Sequence, residues 1–286
     1  MKKFTVFTPT YNRAHLLPKL YEFLQKQTLQ DFEWIIVDDG STDNTKELVK
    51  DWPAKYFYQE NAGKHSAYNK GILEADSELF VCIDSDDYYV PNALLDIYNF
   101  WQQVEHKEKY AGLGYLSAYE NGEVIGTKFP KDVTTSNHFD IYHKFDVKGD
   151  KALVFRTEVL KEFYFPVIAS EKFVTESVLF HRIAKKYQTI YLNQIVEIKE
   201  YHKNGLTDNY FKILAENPKA SALYYNETNF FEPLLRNNAL YVKYCLFSGI
   251  NFSEIIKNSH NKLMTILAIP RGIYRYFRAR KRLKKK

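Results

Sequence analysis

The sequence is poor in cysteine, with Cys82 and Cys245 the only two in 286 residues. They stand far apart and form no CxxC, so a disulfide scaffold is excluded and a reduced, intracellular compartment is the default expectation. No G-x-G-x-x-G follows the first apolar run, which argues against a dinucleotide-binding oxidoreductase. No G-x-x-x-x-G-K-[ST] occurs either, which argues against a P-loop nucleotidase. Long apolar runs are also missing. The run after Met1-Lys2-Lys3 stops at Pro9, Asn12 and Arg13, too early for a signal-peptide core. The longest late run, Leu263–Ile269, ends at Pro270, so the chain is not expected to cross a bilayer. Acids are absent from the last stretch, where Arg271, Arg275, Arg278, Arg280, Lys281, Arg282, Lys284, Lys285 and Lys286 gather. Taking those nine charges from the formal +5 leaves a body at −4. A mildly acidic body argues against nucleic-acid binding.

What is present is ordinary globular material: 45% hydrophobic and 26% charged residues, in a chain long enough to bury a full core. The 23 tyrosines and 21 phenylalanines suit either an aromatic core or the binding of rings and sugars. The first ninety residues repeat one rhythm. Phe4–Thr8, Trp34–Val37, Tyr56–Tyr58 and Leu79–Ile83 read as strands. Helical spacing over Leu16–Gln27, to about Lys50, and over about Lys64–Ala75 separates them, which predicts βαβ units and a mainly parallel sheet. Beyond these, Asn92–Val104 reads as a helix, and Gly112–Ser117 with Val124–Lys128 as a strand pair around Asn121-Gly122. Ala152–Arg156 and Ile190–Tyr201 read as extended, Phe173–Tyr187 as helical, and helices dominate from about Asp208.

In an open parallel sheet, ligands bind outside the carboxyl ends of the strands. Three such ends carry polar clusters: Thr8-Pro9-Thr10-Tyr11-Asn12-Arg13, Asp38-Asp39-Gly40-Ser41 and Asp84-Ser85-Asp86-Asp87. A fourth leads into Lys64 and His65. Singly, each acidic cluster also reads as a turn with a helix cap. Converging on one edge, their like charges require compensation, and a divalent cation with oxygen ligands supplies it.

The segments Phe7–Arg13, Trp34–Thr42 (WIIVDDGST), Asn61–Gly71 (NAGKHSAYNKG) and Cys82–Pro91 (CIDSDDYYVP) resemble, in order and spacing, the inverting family 2 glycosyltransferases of GT-A fold. The resemblance covers roughly residues 4 to 207. It implies an α/β, Rossmann-like sheet flanked by helices. The catalytic domain would run over 1–207, with a donor half to about 105 and an acceptor half from about 106. A helical C-terminal extension would occupy 208–286. By position, Pro9 and Tyr11 would hold the nucleotide base, and Asp39 would accept from its imide with Asp38 supporting the turn. Lys64 would lie near the donor diphosphate. Asp84 would reach the ribose or metal region, and Asp86 would ligate Mn2+ or Mg2+. The family usually carries a base Asp after a Glu at a helix start. Here that stretch is Val174-Thr175-Glu176-Ser177, so Glu176 is the expected catalytic base, with Asp150 and Glu171 as alternatives. His202 occupies the region of a further metal ligand.

The implied reaction moves a sugar from a nucleotide-sugar, a UDP-sugar by family habit, to a glycan or lipid-linked acceptor in cell-surface polysaccharide synthesis. Apolar Ile266, Leu267, Ile269, Ile273, Tyr274 and Phe277 interleave with the terminal cations. That pattern suits peripheral contact of 263–286 with an anionic membrane, at the inner face of the cell membrane. The rival reading is a non-catalytic nucleotide-sugar or glycan-binding scaffold on the same fold, kept open by Ser177.

Overall fold

A computed structural model of the chain describes residues 2–200 and 206–284. It resolves the alternation into β1 (Lys2–Thr10), α1 (Leu17–Gln25), β2 (Phe32–Asp38), α2 (Thr45–Val49), β3 (Lys55–Tyr58), α3 (Lys64–Glu74) and β4 (Ser77–Cys82). The elements β5 (Tyr88–Tyr89), α4 (Ala93–Gln103), β6 (Tyr110–Tyr119), β7 (Val133–Ser136), α5 (His138–His143), β8 (Lys151–Arg156) and α6 (Thr157–Glu162) follow, and β9 (Gln188–Lys199) comes later. The backbone gathers into two compact units. One comprises Met1–Tyr164 with Ile183–Tyr201, the other Phe165–Arg182 with His202–Lys286. Segment 165–182, grouped with the acceptor half on sequence, is thus part of the second compact unit.

In the first unit the strands lie in the order β3-β2-β1-β4-β8-β6-β9-β5, with β7 also on β9. Strand β1 is central, so Phe4, Val6 and Phe7 are buried on both faces, as the near-continuous apolar run requires. The parallel pattern holds over β3-β2-β1-β4. Strand β8 then enters antiparallel to both β4 and β6, making the whole sheet mixed. It follows the short α5 and a loop rather than a long crossover helix, so no βαβ geometry dictates its direction. Helix α1 buries Leu17, Leu20 and Leu24, and α4 buries Ala93, Leu94, Ile97 and Trp101, one face each. Helix α3 lies so close to β1 that a Cβ at Gly71 would stand 2.4 Å from the Phe7 ring. Many aromatics are core: Tyr21 stacks on Trp52 at 4.5 Å and on Trp34 at 5.7 Å.

The expected strand over Val124–Lys128 is absent. The Asn121-Gly122 turn forms, but pairing reduces to a single bridge between Ala118 and Val124. Gly126 then takes φ +76° against Lys148, where a Cβ would meet the Lys148 carbonyl at 1.9 Å. The buried Lys151 ammonium fixes this crossing by donating to the carbonyls of Ile125 (2.9 Å) and Lys148 (2.7 Å).

The second unit is helical, with α7 (Ser177–Ala184) running out of it and α8 (Leu206–Glu216), α9 (Pro218–Phe231), α10 (Leu235–Phe247), α11 (Phe252–Asn258) and α12 (Lys262–Leu283) within it. Asn251 and Asn261 cap α11 and α12 by accepting from Glu254 and Met264 N–H, each at 3.0 Å. Gly272 brings α12 against α10, where a Cβ would stand 2.5 Å from Val242. A buried polar chain of Asn229, Asn238, Thr265 and Ser259 links α9, α10 and the start of α12.

Candidate functional site

The carboxyl ends of β1, β2, β3 and β4 form one cradle because their loops are hydrogen-bonded to one another. After β1, Asn12 N–H donates to Ser41 Oγ at 2.8 Å, and Asn12 Oδ1 accepts from Thr42 N–H at 2.7 Å. Asp43 Oδ2 accepts from Ala14 N–H at 3.0 Å. Pro9 sits inside central β1 and has no N–H to donate, and pairing with β4 ends just before it, at Phe7 and Cys82. Tyr11 stands on the loop after β1 and is 49% exposed.

Both acids at the end of β2, Asp38 and Asp39, are buried. Asp38 is a turn-builder: Oδ1 accepts from Ser41 N–H and Oδ2 from the Tyr56 hydroxyl, both at 2.7 Å. Burial and Asp38 together push the Tyr56 phenol well above its ordinary range. Asp39 reaches the next loop. Its Oδ1 accepts from Gln59 Nε2 (2.7 Å) and Ala62 N–H (2.9 Å), its Oδ2 from Gly63 N–H (2.7 Å). Three of roughly four lone-pair sites are therefore used within the chain. Gly63 leads directly into Lys64 at the start of α3, whose Nζ contacts Asp84 Oδ1 at 2.8 Å and Oδ2 at 2.9 Å. Arg13 pairs with Asp86 at 2.5 Å. The four polar segments are thereby brought together, through Asp39, Lys64, Asp84 and Asp86.

Crowding by the protein pushes the Asp84 carboxyl up, but Lys64, Lys199 and Arg13 outweigh it and hold the group below the usual range. A third of its side chain stays open to solvent. Beneath this loop lies a group that sequence reasoning left unassigned. Lys199 of β9 contacts Asp87 at 3.1 Å and Glu197 at 3.7 Å, and Glu197 accepts from Ser117 at 2.5 Å. Burial raises the Asp87 carboxyl to about 7, helped by Glu197, Asp84 and Asp86 and opposed by Lys199. The Glu-x-Lys of β9 was visible as a polar pair in an apolar strand, but nothing local tied it to Asp87.

The base candidates fall apart by position. Glu176 precedes α7 in the second unit and its carbonyl accepts from Phe180 N–H, as at a helix start. Glu171 caps α9 instead, its two oxygens accepting from Lys219 (2.8 Å) and Ala220 (2.7 Å) N–H. Asp150 is exposed in the first unit, and its charge acts on Lys199 and Glu197. His202 lies outside the described residues. Among those described, no three His, Cys, Asp or Glu side chains gather as a ready metal cage. Two carboxylates paired with partly exposed cations nevertheless fit a hard divalent ion of the kind that takes one or two carboxylates plus substrate phosphates.

A glucosyltransferase of Campylobacter jejuni, named GalNAc(5)-diNAcBac-PP-undecaprenol beta-1,3-glucosyltransferase, is 37% identical over 101 residues, 33% of this chain and 33% of that protein. The chain spans well under half the length of the curated relatives it matches, between 21% and 40%. Among solved structures, S. aureus TarS 1-349 in complex with UDP-GlcNAc superposes with a TM-score of 0.60 at 17% identity, over 99% of this chain and 92% of that one. Mannosyltransferase PcManGT from Pyrobaculum calidifontis, in complex with GDP-Man and Mn2+, gives 0.55 at 18% identity, over 98% and 82%. These likenesses bear out the expected GT-A-type α/β fold. The profile described as Glycosyl transferase family 2 matches residues 5–160, more than half of the chain, and with the fold in agreement the chain belongs to that family.

Proposed function

We propose that this chain transfers a sugar from a nucleotide-sugar, taken as a UDP-sugar, to a glycan or lipid-linked saccharide, with inversion at the anomeric carbon. The reading is carried by the meeting of Asp39, Lys64, Asp84 and Asp86 in one cradle at four strand ends. Tyr11 offers a ring face to the base beside Pro9, and Asp39 keeps one lone-pair site for the base imide. Lys64 and Arg13 exchange their carboxylate partners for the donor diphosphate. That exchange frees Asp84 and Asp86 to hold Mn2+ or Mg2+. When bound, the cation acts as a Lewis acid that stabilises the departing nucleotide diphosphate. The attacking hydroxyl must lose its proton, and Glu176 is the first candidate to take it. Asp150 is the alternative, supported by its electrostatic reach to the residues beneath the Asp84–Asp87 loop. Glu171 is already engaged as a helix cap.

The name of the Campylobacter relative specifies an undecaprenol-diphosphate acceptor, which supports a lipid-linked acceptor here in cell-surface polysaccharide synthesis. Helix α12 supports a peripheral contact at the inner face of the membrane. Leu263, Ile266, Leu267, Tyr274 and Phe277 are exposed along one side of it with Arg271 and Arg278 alongside. No helix of the described residues is long and apolar enough to cross a membrane. The test is a panel of nucleotide-sugars assayed for nucleotide release with Mn2+. Asp86→Ala is expected to lose about 100-fold or more of the metal-dependent rate. Full metal-dependent release by that variant would overturn the metal assignment, and binding without turnover across the panel would favour the scaffold.

A further inference from the structure

We propose that the second unit holds a phosphate-binding seat, built on Lys243 of α10 and Arg275 of α12 from residues of that unit alone. Lys243 is 5% exposed. Among the described residues its Nζ meets no carboxylate and no hydrogen-bond acceptor. It lies instead over the rings of Tyr244 (3.7 Å) and Phe211 (5.4 Å). Arg275 Nε is buried and likewise has no acceptor. Gly272 seats α12 on Val242 and Ala239, with Lys243 the next residue after Val242 and Arg275 three residues after Gly272, and the Arg275 charge reaches Lys243. Folded chains seldom bury charge without a counter-charge, and ring faces attract a cation without neutralising it.

The surroundings make the deficit larger. Burial and the Arg275 charge push the Lys243 ammonium down to about 8, so it stays protonated at neutral pH. Arg275 is lowered by burial, Arg271, Arg236 and Arg278. Arg271, Arg275, Arg278 and Arg282 recur at helical spacing along one flank of α12, beside its exposed apolar side. A guanidinium fork next to an ammonium is the donor set for a phosphate group. The chemistry required is therefore a phosphate, whether free or carried on a lipid headgroup whose chains follow the apolar side.

Thermal unfolding of the full chain tests this, with inorganic phosphate or pyrophosphate added against sodium chloride of equal ionic strength. A parallel arm uses vesicles of phosphatidylglycerol or of phosphatidylcholine. The wild type is expected to gain about 2–5 °C with the anion, and Lys243→Met to start from a higher midpoint and lose that gain. A response to phosphatidylglycerol vesicles alone, lost in Lys243→Met, identifies the phosphate as a headgroup; a response to the free anions identifies a soluble ligand. Should Lys243→Met fail to fold, Arg275→Met gives the same comparison. A full response in the folded variant, or a wild type indifferent to every phosphate probe, overturns the proposal. The readout uses no sugar donor, so it stands or falls apart from glycosyl transfer.

Discussion

A single buried carboxylate joins two loops of the first unit. Asp39 holds Gln59, Ala62 and Gly63, and the last of these sets the position from which Lys64 reaches Asp84. Asp39→Ala leaves three donors unmet and is expected to cost about 2–4 kcal/mol, read from the denaturant midpoint. On the role proposed for Lys64, donor binding should be lost beyond what instability explains, because the misplaced ammonium would no longer meet the diphosphate. Lys243 gives a pH-dependent case. Its folded pKa, about 8, lies below the unfolded value of 10.5. The unfolded chain therefore binds the extra proton between those values. Stability rises as pH climbs from about 8 to 10.5, and the gain is lost as pH falls back through 8. Lys243→Met should be more stable by about 2–3 kcal/mol at pH 7 and flat over that window, as urea titrations at several pH values would reveal. At this scale sequence marked Asp39, Lys64, Asp84 and Asp86 by their place at strand ends. It could not mark Lys199 or Glu197, whose partnership with Asp87 spans over a hundred residues.

Elements depend on where two backbones approach. Helix α3 touches β1 at Gly71 and Phe7, so Gly71→Ala forces a methyl to 2.4 Å from the ring. The expected cost is about 1–3 kcal/mol, with a matching fall in midpoint temperature. The opposite outcome is expected at Pro270, exposed inside α12. Pro270→Ala restores a helical N–H and should raise unfolding stability by about 1–3 kcal/mol, measurable by calorimetry. A midpoint that fell would mean the proline itself is required for packing on α10. The alternating elements of the first hundred residues were legible from period alone. Val124–Lys128 was not, because its backbone is governed by Lys148 and Gly149, distant in sequence.

For the whole molecule, the concentration of cations and exposed apolar groups on one helix of the second unit predicts surface binding. Leu267→Glu with Phe277→Glu should abolish sedimentation with anionic vesicles while leaving nucleotide release unchanged, since both residues are exposed on α12. Unaltered sedimentation would sink the membrane reading.

Local periodicity and strand-end polarity by themselves determined the α/β class, the order of the first strands and the identity of the clustered acids, because these are short-range properties of the chain. Tertiary structure alone decided that β8 enters antiparallel, that Glu171 is a helix cap, that 165–182 packs with the terminal helices, and that Lys243 lies buried beside Arg275. Each of these depends on which distant segment supplies the neighbouring surface, and no spacing along the sequence encodes that.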